Sequence, residues 1–483
     1  MTNSIGEIVG NDVLFIIGSN ATEAHPIIGN KMKQAHLRGA KLIVVDPRRT
    51  ELAEHAHLWL RLKPGTDNAL INGILHTIIK NGWHDEEYIQ TRTEGFDALW
   101  DTVKDYPVEF AAEICGVPAD TIIEAARLYA TTRKAGIFYT LGITEHTVGT
   151  ANVMNLANLA MVTGHIGLPN AGVNPMRGQN NVQGSCDMGA LPNSFPGYPS
   201  VLDFEAQKKF SELYGRQMPQ DMGLRIPEMF DLAVHGTLEA MFIMGEDPAL
   251  TDADANHVRK ALENLEFLAV QNIFMTETAK YADVFLPAAL YAEKDGTFTN
   301  TERRVQRVRK AIEPPGDTRP DWEILQDLGT RMGIPWHYDS PEDIFEEIRR
   351  AVPQYAGMTY ERLGTQGLQW PCPTEDHPGT PYLHRGQFTR GKGLLQGIAF
   401  QEPAELTDEE YPMLLTTGRM LYHYNISTRI SQNLEWLRPH ELAEVNPEDA
   451  AALGLDDGDV VRVTSRRGSI TTRVTVTDKV WPG

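Results

Sequence analysis

At 483 residues the chain has room for about three domains of ~100–200 residues each, and with 41% apolar residues it can bury real cores. Lys and Arg total 44 against 65 Asp and Glu, a net charge of −21, which argues against sequence-independent binding of nucleic acid or of an anionic membrane. The three cysteines, Cys115, Cys186 and Cys372, lie far apart, so the chain holds no disulfide framework, CxxC redox pair, zinc knuckle or four-thiolate iron–sulfur cluster.

The opening Met1-Thr2-Asn3-Ser4-Ile5 lacks the basic and apolar regions of a signal peptide. No window reaches the ~18 apolar residues of a membrane span, and a cytoplasmic location is expected. Asp12-Val13-Leu14-Phe15-Ile16-Ile17-Gly18 reads as a buried strand ending in a glycine turn. A helix is expected over 26–39, then a strand at Leu42-Ile43-Val44-Val45-Asp46. Thr50-Glu51-Leu52-Ala53-Glu54-His55-Ala56 leads into a third apolar stretch at 58–62. The plan returns at 239–287. There Phe242-Ile243-Met244-Gly245-Glu246-Asp247 precedes a helix over 253–263 and the strand Phe267-Leu268-Ala269-Val270-Gln271-Asn272. Thr276-Glu277-Thr278-Ala279-Lys280-Tyr281-Ala282 and a last apolar run at 284–287 complete the second copy.

Each copy reads strand–helix–strand–helix–strand, the order of a doubly wound parallel sheet. Ligands of such sheets sit at the carboxyl ends of the strands, where backbone N–H groups and helix N-termini meet anions. Asn20, Asp46, Asp247, Gln271 and Asn272 fall at those predicted ends. An Asp there can accept from a ribose diol or from the N1–H and amino group of guanine, and Arg48 beside it can pair with phosphate. The repeat points to two nucleotide-like moieties, or to one and a vestigial site. The plainer alternative is a duplicated scaffold whose polar residues cap helices. Neither GxGxxG nor GxxxxGK[ST] occurs, which disfavours ordinary NAD binding and P-loop chemistry.

Between the copies, residues 172–189 hold four glycines, five Asn or Gln and one cation, Arg177. With neither helical nor strand period, the segment is expected to be a loop built around a large polar molecule, its Arg holding a small carboxylate. A surface loop with a solvated Arg is the alternative. Cys186 is expected to be a buried thiol, and His25 and His146 to be satisfied polar contacts in strand-to-helix turns. No local pattern assembles a metal site. Residues 340–405, rich in Pro, Gly and aromatics, read as a connecting segment. Met413-Leu414-Leu415-Thr416-Thr417-Gly418-Arg419 reads as a strand and glycine turn. Asn446 and Pro447 open a short helix that Gly454 closes. A hairpin over 460–476 follows, typical of a small β-barrel.

Specific runs now accumulate: Ile17-Gly18-Ser19-Asn20 with His25-Pro26, Val45-Asp46-Pro47-Arg48, and Lys63-Pro64-Gly65-Thr66-Asp67. Further on come Arg177-Gly178-Gln179-Asn180-Asn181-Val182-Gln183-Gly184, Met244-Gly245-Glu246-Asp247-Pro248, Glu293-Lys294-Asp295-Gly296-Thr297-Phe298 and Thr416-Thr417-Gly418-Arg419. Together they resemble the molybdopterin oxidoreductases of the DMSO reductase family, and within it the catalytic (alpha) subunits of formate dehydrogenases. The resemblance implies two molybdopterin guanine dinucleotides on one molybdenum or tungsten. It implies an α/β fold with two pseudo-repeated doubly wound dinucleotide-binding domains, at 1–179 and 180–342. A connecting segment at 343–404 and an incomplete C-terminal β-barrel of double-psi type at 405–483 would follow.

By the same resemblance Gly18, Asn20, Asp46, Arg48, Gly65 and Asp67 hold the first dinucleotide, and Gly245, Asp247, Thr251, Gln271 and Asn272 the second. Arg419 and His423 lie in a pterin-facing turn, Gln179 contacts cofactor near the metal, and Arg177 is the catalytic arginine that positions formate. The implied reaction oxidises formate to carbon dioxide, or runs in reverse, and passes two electrons on to an iron–sulfur electron-transfer subunit or domain. Family members also carry an N-terminal four-cysteine [4Fe–4S] domain, a metal-ligating cysteine or selenocysteine and a following histidine. None has a counterpart in this chain, so no metal ligand is assigned. The chain is accordingly expected to be a catalytic-subunit fragment, with the [4Fe–4S] cluster in a domain before Met1. Another molybdopterin oxidoreductase, such as a nitrate reductase, and a non-catalytic cofactor-binding or assembly protein are the alternatives.

Overall fold

The computed structural model describes residues 1–425 and 431–483. Two compact units form, one of Met1–Gly178 with Pro381–Gly483 and one of Gln179–Thr380. The first six strands belong to the first unit. They are β1 (Val13–Ile17), β2 (Lys41–Val45), β3 (Leu58–Leu60), β4 (Thr93–Glu94), β5 (Ala135–Tyr139) and β6 (Gly172–Pro175). Five of them make a parallel sheet in the order β3-β2-β1-β5-β6.

All five residues of β1 and of β5 are buried, as central parallel strands must be when both faces are covered. On one face Phe15, Ile17, Ile43 and Val45 pack with Leu70, Ile74 and Ile78 of the helix Asp67–Lys80. On the other, Leu14, Ile16, Leu42 and Val44 pack with Ile28, Met32 and Ala35 of the helix Pro26–Leu37. Pro26 opens that helix, where its missing N–H costs nothing.

The expected loop at 172–189 is partly regular. Gly172–Pro175 forms the edge strand β6 beside β5, and Val182–Asp187 is a helix. Four residues are too few to display a strand period. The helix buries Gln183 and Asp187, four residues apart, so its inward face is polar and a hydrophobic period misses it. Cys186 lies on the flank of that turn and is half-buried rather than buried.

In the second unit β7 (Ala240–Met244), β8 (Phe267–Asn272) and β9 (Val284–Pro287) are parallel, in the order β7-β8-β9. Ile243, Leu268 and Val270 pack with Phe230, Val258 and Leu262 from the helices Ile226–Val234 and Ala255–Asn264. A separate antiparallel sheet joins β10 (Gly296–Thr299), β11 (Arg304–Val308) and β12 (Leu368–Gln369).

The two parallel sheets share local detail. Gly18, at φ +55°, donates to Val45 O at 3.0 Å, and Gly245, at φ +70°, donates to Gln271 O at 2.9 Å. Thr50 Oγ1 accepts from Ala53 N at 3.3 Å, and Thr276 Oγ1 from Ala279 N at 3.3 Å. The carbonyl of Asn20 accepts from Ala24 N at 2.9 Å and that of Asp247 from Thr251 N at 3.1 Å.

Past residue 381 the chain rejoins the first unit. There β13 (Gly393–Leu394) runs parallel to β4. Buried amides peg this stretch: Asn158 Nδ2 donates to Gln396 O and Asn72 Nδ2 to Ile398 O, both at 2.7 Å. β14 (Leu442–Val445), β15 (Val460–Ser465) and β16 (Gly468–Val476) make a sheet in the order β14-β16-β15 that contains the expected hairpin. Asn446 caps its helix through Oδ1 to Glu448 N at 2.9 Å, and Gly454 ends it at φ +67°.

The strand expected at 413–417 does not form. Among the described residues no strand pairs with it. Its one ladder-like contact is Leu414 N to Gly483 O at 2.9 Å, and Leu414 and Leu415 are exposed. An apolar run becomes a strand only where a neighbour satisfies its N–H and C=O groups. Among the described residues no helix is long and apolar enough to cross a membrane.

Candidate functional site

In the first unit the carboxyl ends of the strands gather polar groups. Gly18-Ser19-Asn20 follow β1, Asp46-Pro47-Arg48 follow β2, Thr140 follows β5, and Met176-Arg177 follow β6. Gly18 and Gly142 bring two backbones together. Gly142 N and Thr140 Oγ1 both donate to Gly18 O, at 3.1 and 2.8 Å. A Cβ on Gly142 would lie 2.6 Å from Gly18 Cα, with only backbone to yield. Gly142→Ala is therefore expected to cost ~1–3 kcal/mol, read as a lowered Tm of the intact chain.

Two sheltered carboxyls lie at these ends, Asp46 half-buried and Asp67 buried. Asp46 Oδ1 accepts from Arg48 N at 2.9 Å, yet burial pushes its pKa up to about 6 against the pull of Arg48, with the nearby charge of Asp67 adding to the rise. Asp67, 5% exposed at the start of the helix Asp67–Lys80, is also pushed up to about 6 by burial. The His146 imidazole, 3.9 Å away, works against that rise. Ser19 Oγ, 3% exposed, has no protein partner. Two carboxyls raised by burial beside an orphaned hydroxyl fit a ligand that brings O–H and N–H groups. The turn residue Gly65, at φ +81°, is closed in by Pro403, whose Cγ a Cβ would meet at 2.4 Å.

Arg48 is engaged. Its Nε and Nη2 donate to the two oxygens of Glu444 at 2.7 and 2.6 Å, and Glu23 lies 3.9 Å from Nη1. Asn20 caps the helix Ala21–Ala24 with its backbone, while its Oδ1 accepts from Thr22 Oγ1 at 3.1 Å. Arg177 O accepts from His25 Nε2 at 3.1 Å, while Nδ1 of that ring is buried without a partner. Desolvation lowers the His25 pKa, and the charge of Arg419 lowers it further, so the ring is neutral at pH 7. Arg419 Nη1 donates to His423 O at 3.0 Å and Nη2 to Asn425 Oδ1, while the Tyr424 hydroxyl donates to Gly178 O. His423 Nε2 pairs with Arg438 O at 3.1 Å. Burial pushes Tyr139 up to about 12 despite the charge of Arg177. Arg177, His25, Tyr139 and Arg419 thus share one electrostatic neighbourhood.

In the second unit most strand-end groups serve their own turns. Asp247 Oδ1 accepts from Thr278 N at 2.8 Å and Thr278 Oγ1 at 2.7 Å. Thr251 Oγ1 donates to Asp247 O at 3.1 Å, and Asn272 Nδ2 to Glu246 O at 3.1 Å. Gln271 differs: its Nε2 donates to Asp321 Oδ1 at 2.8 Å, Asp321 pairs with Lys294, and its Oε1 is buried without a partner. Gly245 has open space where a side chain would stand. Gln179 is exposed, its carbonyl accepting from Val182 N at 3.5 Å.

The helix after Gln179 is anchored by Asp187, which is 1% exposed. Its carboxylate accepts from Gln183 Nε2 at 2.8 Å, Tyr198 Oη at 2.6 Å, Tyr355 Oη at 2.5 Å and Trp370 Nε1 at 2.8 Å. Sequence reasoning missed Asp187, Ser19, Asp321 and Glu444. Ser19 alone carried a signal, its place in a strand-end turn. Among the described residues no group of three or more His, Cys, Asp and Glu is placed to hold a metal ion.

A family model described as molybdopterin oxidoreductase matches residues 1–331, and one for a molybdopterin dinucleotide binding domain matches 413–483. The chain is 50% identical, over all of its length, to the F420-dependent formate dehydrogenase 2 subunit alpha of Methanococcus maripaludis, of which it spans 72%. It is 42% identical, over 99% of its length, to formate dehydrogenase H of Escherichia coli, of which it spans 68%. Among solved structures, acetylene hydratase from Pelobacter acetylenicus aligns with a TM-score of 0.76 at 22% identity, over 100% of this chain and 70% of that one, a likeness of fold.

Proposed function

This chain belongs to the molybdopterin oxidoreductase family, and from that premise we propose that the strand ends of each unit hold one dinucleotide arm of the cofactor that oxidises formate. The enzyme is of the formate dehydrogenase type, converting formate to carbon dioxide with molybdenum or tungsten bound to molybdopterin guanine dinucleotide. The observation that carries this is 50% identity over the whole chain to a formate dehydrogenase alpha subunit.

Gly18, Asn20, Asp46, Arg48, Gly65 and Asp67 would hold the first dinucleotide. The raised carboxyls of Asp46 and Asp67 and the unpartnered Ser19 Oγ support this, because guanine and ribose bring N–H and O–H donors that stabilise carboxylates and engage a free hydroxyl. Gly245, Asp247, Thr251, Gln271 and Asn272 would hold the second, with Gln271 Oε1 as its open acceptor. The matched turns of the two parallel sheets support a pseudo-repeat. We read the domains as 1–179, 180–342, a connector at 343–404, and part of a double-psi barrel at 405–483. Arg419 and His423 would face pterin, Gln179 would contact cofactor near the metal, and an iron–sulfur partner would carry electrons away in the cytoplasm.

The bound cofactor supplies the two-electron acceptor. Arg177 pairs with the formate carboxylate and fixes its orientation, a proximity and charge role. His25 stays neutral and holds the Arg177 main chain through its carbonyl. The test is to measure molybdenum or tungsten and guanine nucleotide released on denaturation, then formate-dependent viologen reduction. Bound cofactor without formate oxidation would overturn the reading.

A pH dependence follows. Empty, Asp46 and Asp67 titrate near pH 6; donors on the ligand favour the carboxylates and lower both pKa values, so binding releases protons. Retention of guanine nucleotide should hold above pH 6 and fall below it, by about tenfold per pH unit for each carboxyl until the bound-state pKa is reached. Dialysis across a pH series, followed by nucleotide assay, checks this. Retention that is flat from pH 7 to pH 5 would contradict it.

A further inference from the structure

The pairing of Arg48 with Glu444 has more in it than an ion pair. Glu444 lies on β14 and takes Arg48 side-on, through Nε and Nη2. The pair is largely sheltered, with side chains 20% and 28% exposed. Arg48 itself sits two residues beyond Asp46, at the strand ends that would hold the first dinucleotide. A guanidinium has five N–H donors. Two are spent on Glu444, which leaves three, two of them on Nη1. An unpinned arginine would have to give up its rotamer freedom when an anion binds; a pinned one has already done so.

Docking of the β14-β16-β15 sheet does not depend on this pair alone. The next residue makes its own contacts to the segment after β16, with Arg49 N donating to Lys479 O at 2.8 Å and Arg49 Nη2 pairing with Asp478 at 2.7 Å. The Arg48–Glu444 pair therefore stands where a second latch already exists.

We infer that Glu444 is a positioning residue for the first dinucleotide: it holds the Arg48 guanidinium so that its remaining N–H groups meet phosphate at the ends of β1 and β2. The inference rests on the reading of these strand ends as a dinucleotide site. Arg48 then bridges Glu444 and phosphate, with Glu23 beyond hydrogen-bond reach at 3.9 Å from Nη1, and pocket occupancy and seating of β14 favour each other.

The test is a double-mutant cycle on the full chain, made in a host that synthesises molybdopterin guanine dinucleotide. Guanine nucleotide released per chain on acid denaturation is read after desalting, with Tm as the fold control. Glu444→Ala should lower retained nucleotide about tenfold, the scale of outer-shell partners elsewhere. Glu444→Gln, which still accepts a hydrogen bond, should fall between. Arg48→Ala with Glu444→Ala should lose no more than Arg48→Ala alone. The exchange of Arg48→Glu with Glu444→Arg restores a pair but moves the cation; it should keep the Tm and still lose nucleotide.

Additive losses, or an exchange that regains nucleotide, would make the pair a structural latch and overturn the inference. Greater retention in Glu444→Ala would make Glu444 a competitor of phosphate and overturn it equally. Wild-type chain without guanine nucleotide would instead remove the dinucleotide reading, and this inference with it.

Discussion

Arg177→Ala should raise the KM for formate by about 100-fold, with guanine nucleotide per chain unchanged, because a charge-assisted fork to a carboxylate is worth about 3 kcal/mol in a sheltered site. The main chain is expected to survive the change, since His25 holds the Arg177 carbonyl and β6 pairs with β5 immediately before it. Arg177→Lys should recover only part of the loss, as an ammonium cannot present two parallel donors. Steady-state viologen reduction over a wide formate range separates KM from kcat. Nucleotide loss in step with activity would mean that Arg177 supports the fold rather than the substrate.

The largest expected effect on stability is at Asp187. Asp187→Ala removes the acceptor of four donors from Gln183, Tyr198, Tyr355 and Trp370, at a site 1% exposed. A buried donor left unpaired costs ~1–3 kcal/mol, and partial relaxation keeps the sum near 4 kcal/mol. Burial first, then the charge and hydrogen bond of Asp187, holds the Tyr355 phenol well above the usual tyrosine range, so Tyr355 remains a donor at any working pH. Asp187→Asn should cost about half as much, because its NH2 turns a donor toward donors. Denaturant unfolding followed through tryptophan fluorescence reads both variants. A loss under about 1 kcal/mol for Asp187→Ala would mean that water replaces the carboxylate.

Where a residue's role depends on its neighbours in sequence, the chain was readable. Five apolar residues at Val13–Ile17, three of them β-branched and followed by glycine, read as a covered strand, and that glycine supplies the positive φ that the turn needs. The Asn446–Pro447 helix start is equally local. So is the hairpin of β15 and β16, whose two strands are consecutive. The segment at 413–417 shows where such reading stops: an apolar run names a possible strand, but only a partner completes one.

The sequence by itself therefore determined the parallel α/β sheets, the polar residues at their strand ends and the family. Tertiary structure alone decided what those polar residues do with one another. Arg48 is met by Glu444, 396 residues along the chain, and Asp187 by Tyr355 and Trp370, 168 and 183 residues along. The raised carboxyls of Asp46 and Asp67 have the same origin. A pKa follows from how much water every surrounding element excludes and which donors remain, and the few residues beside a carboxyl in sequence carry neither quantity.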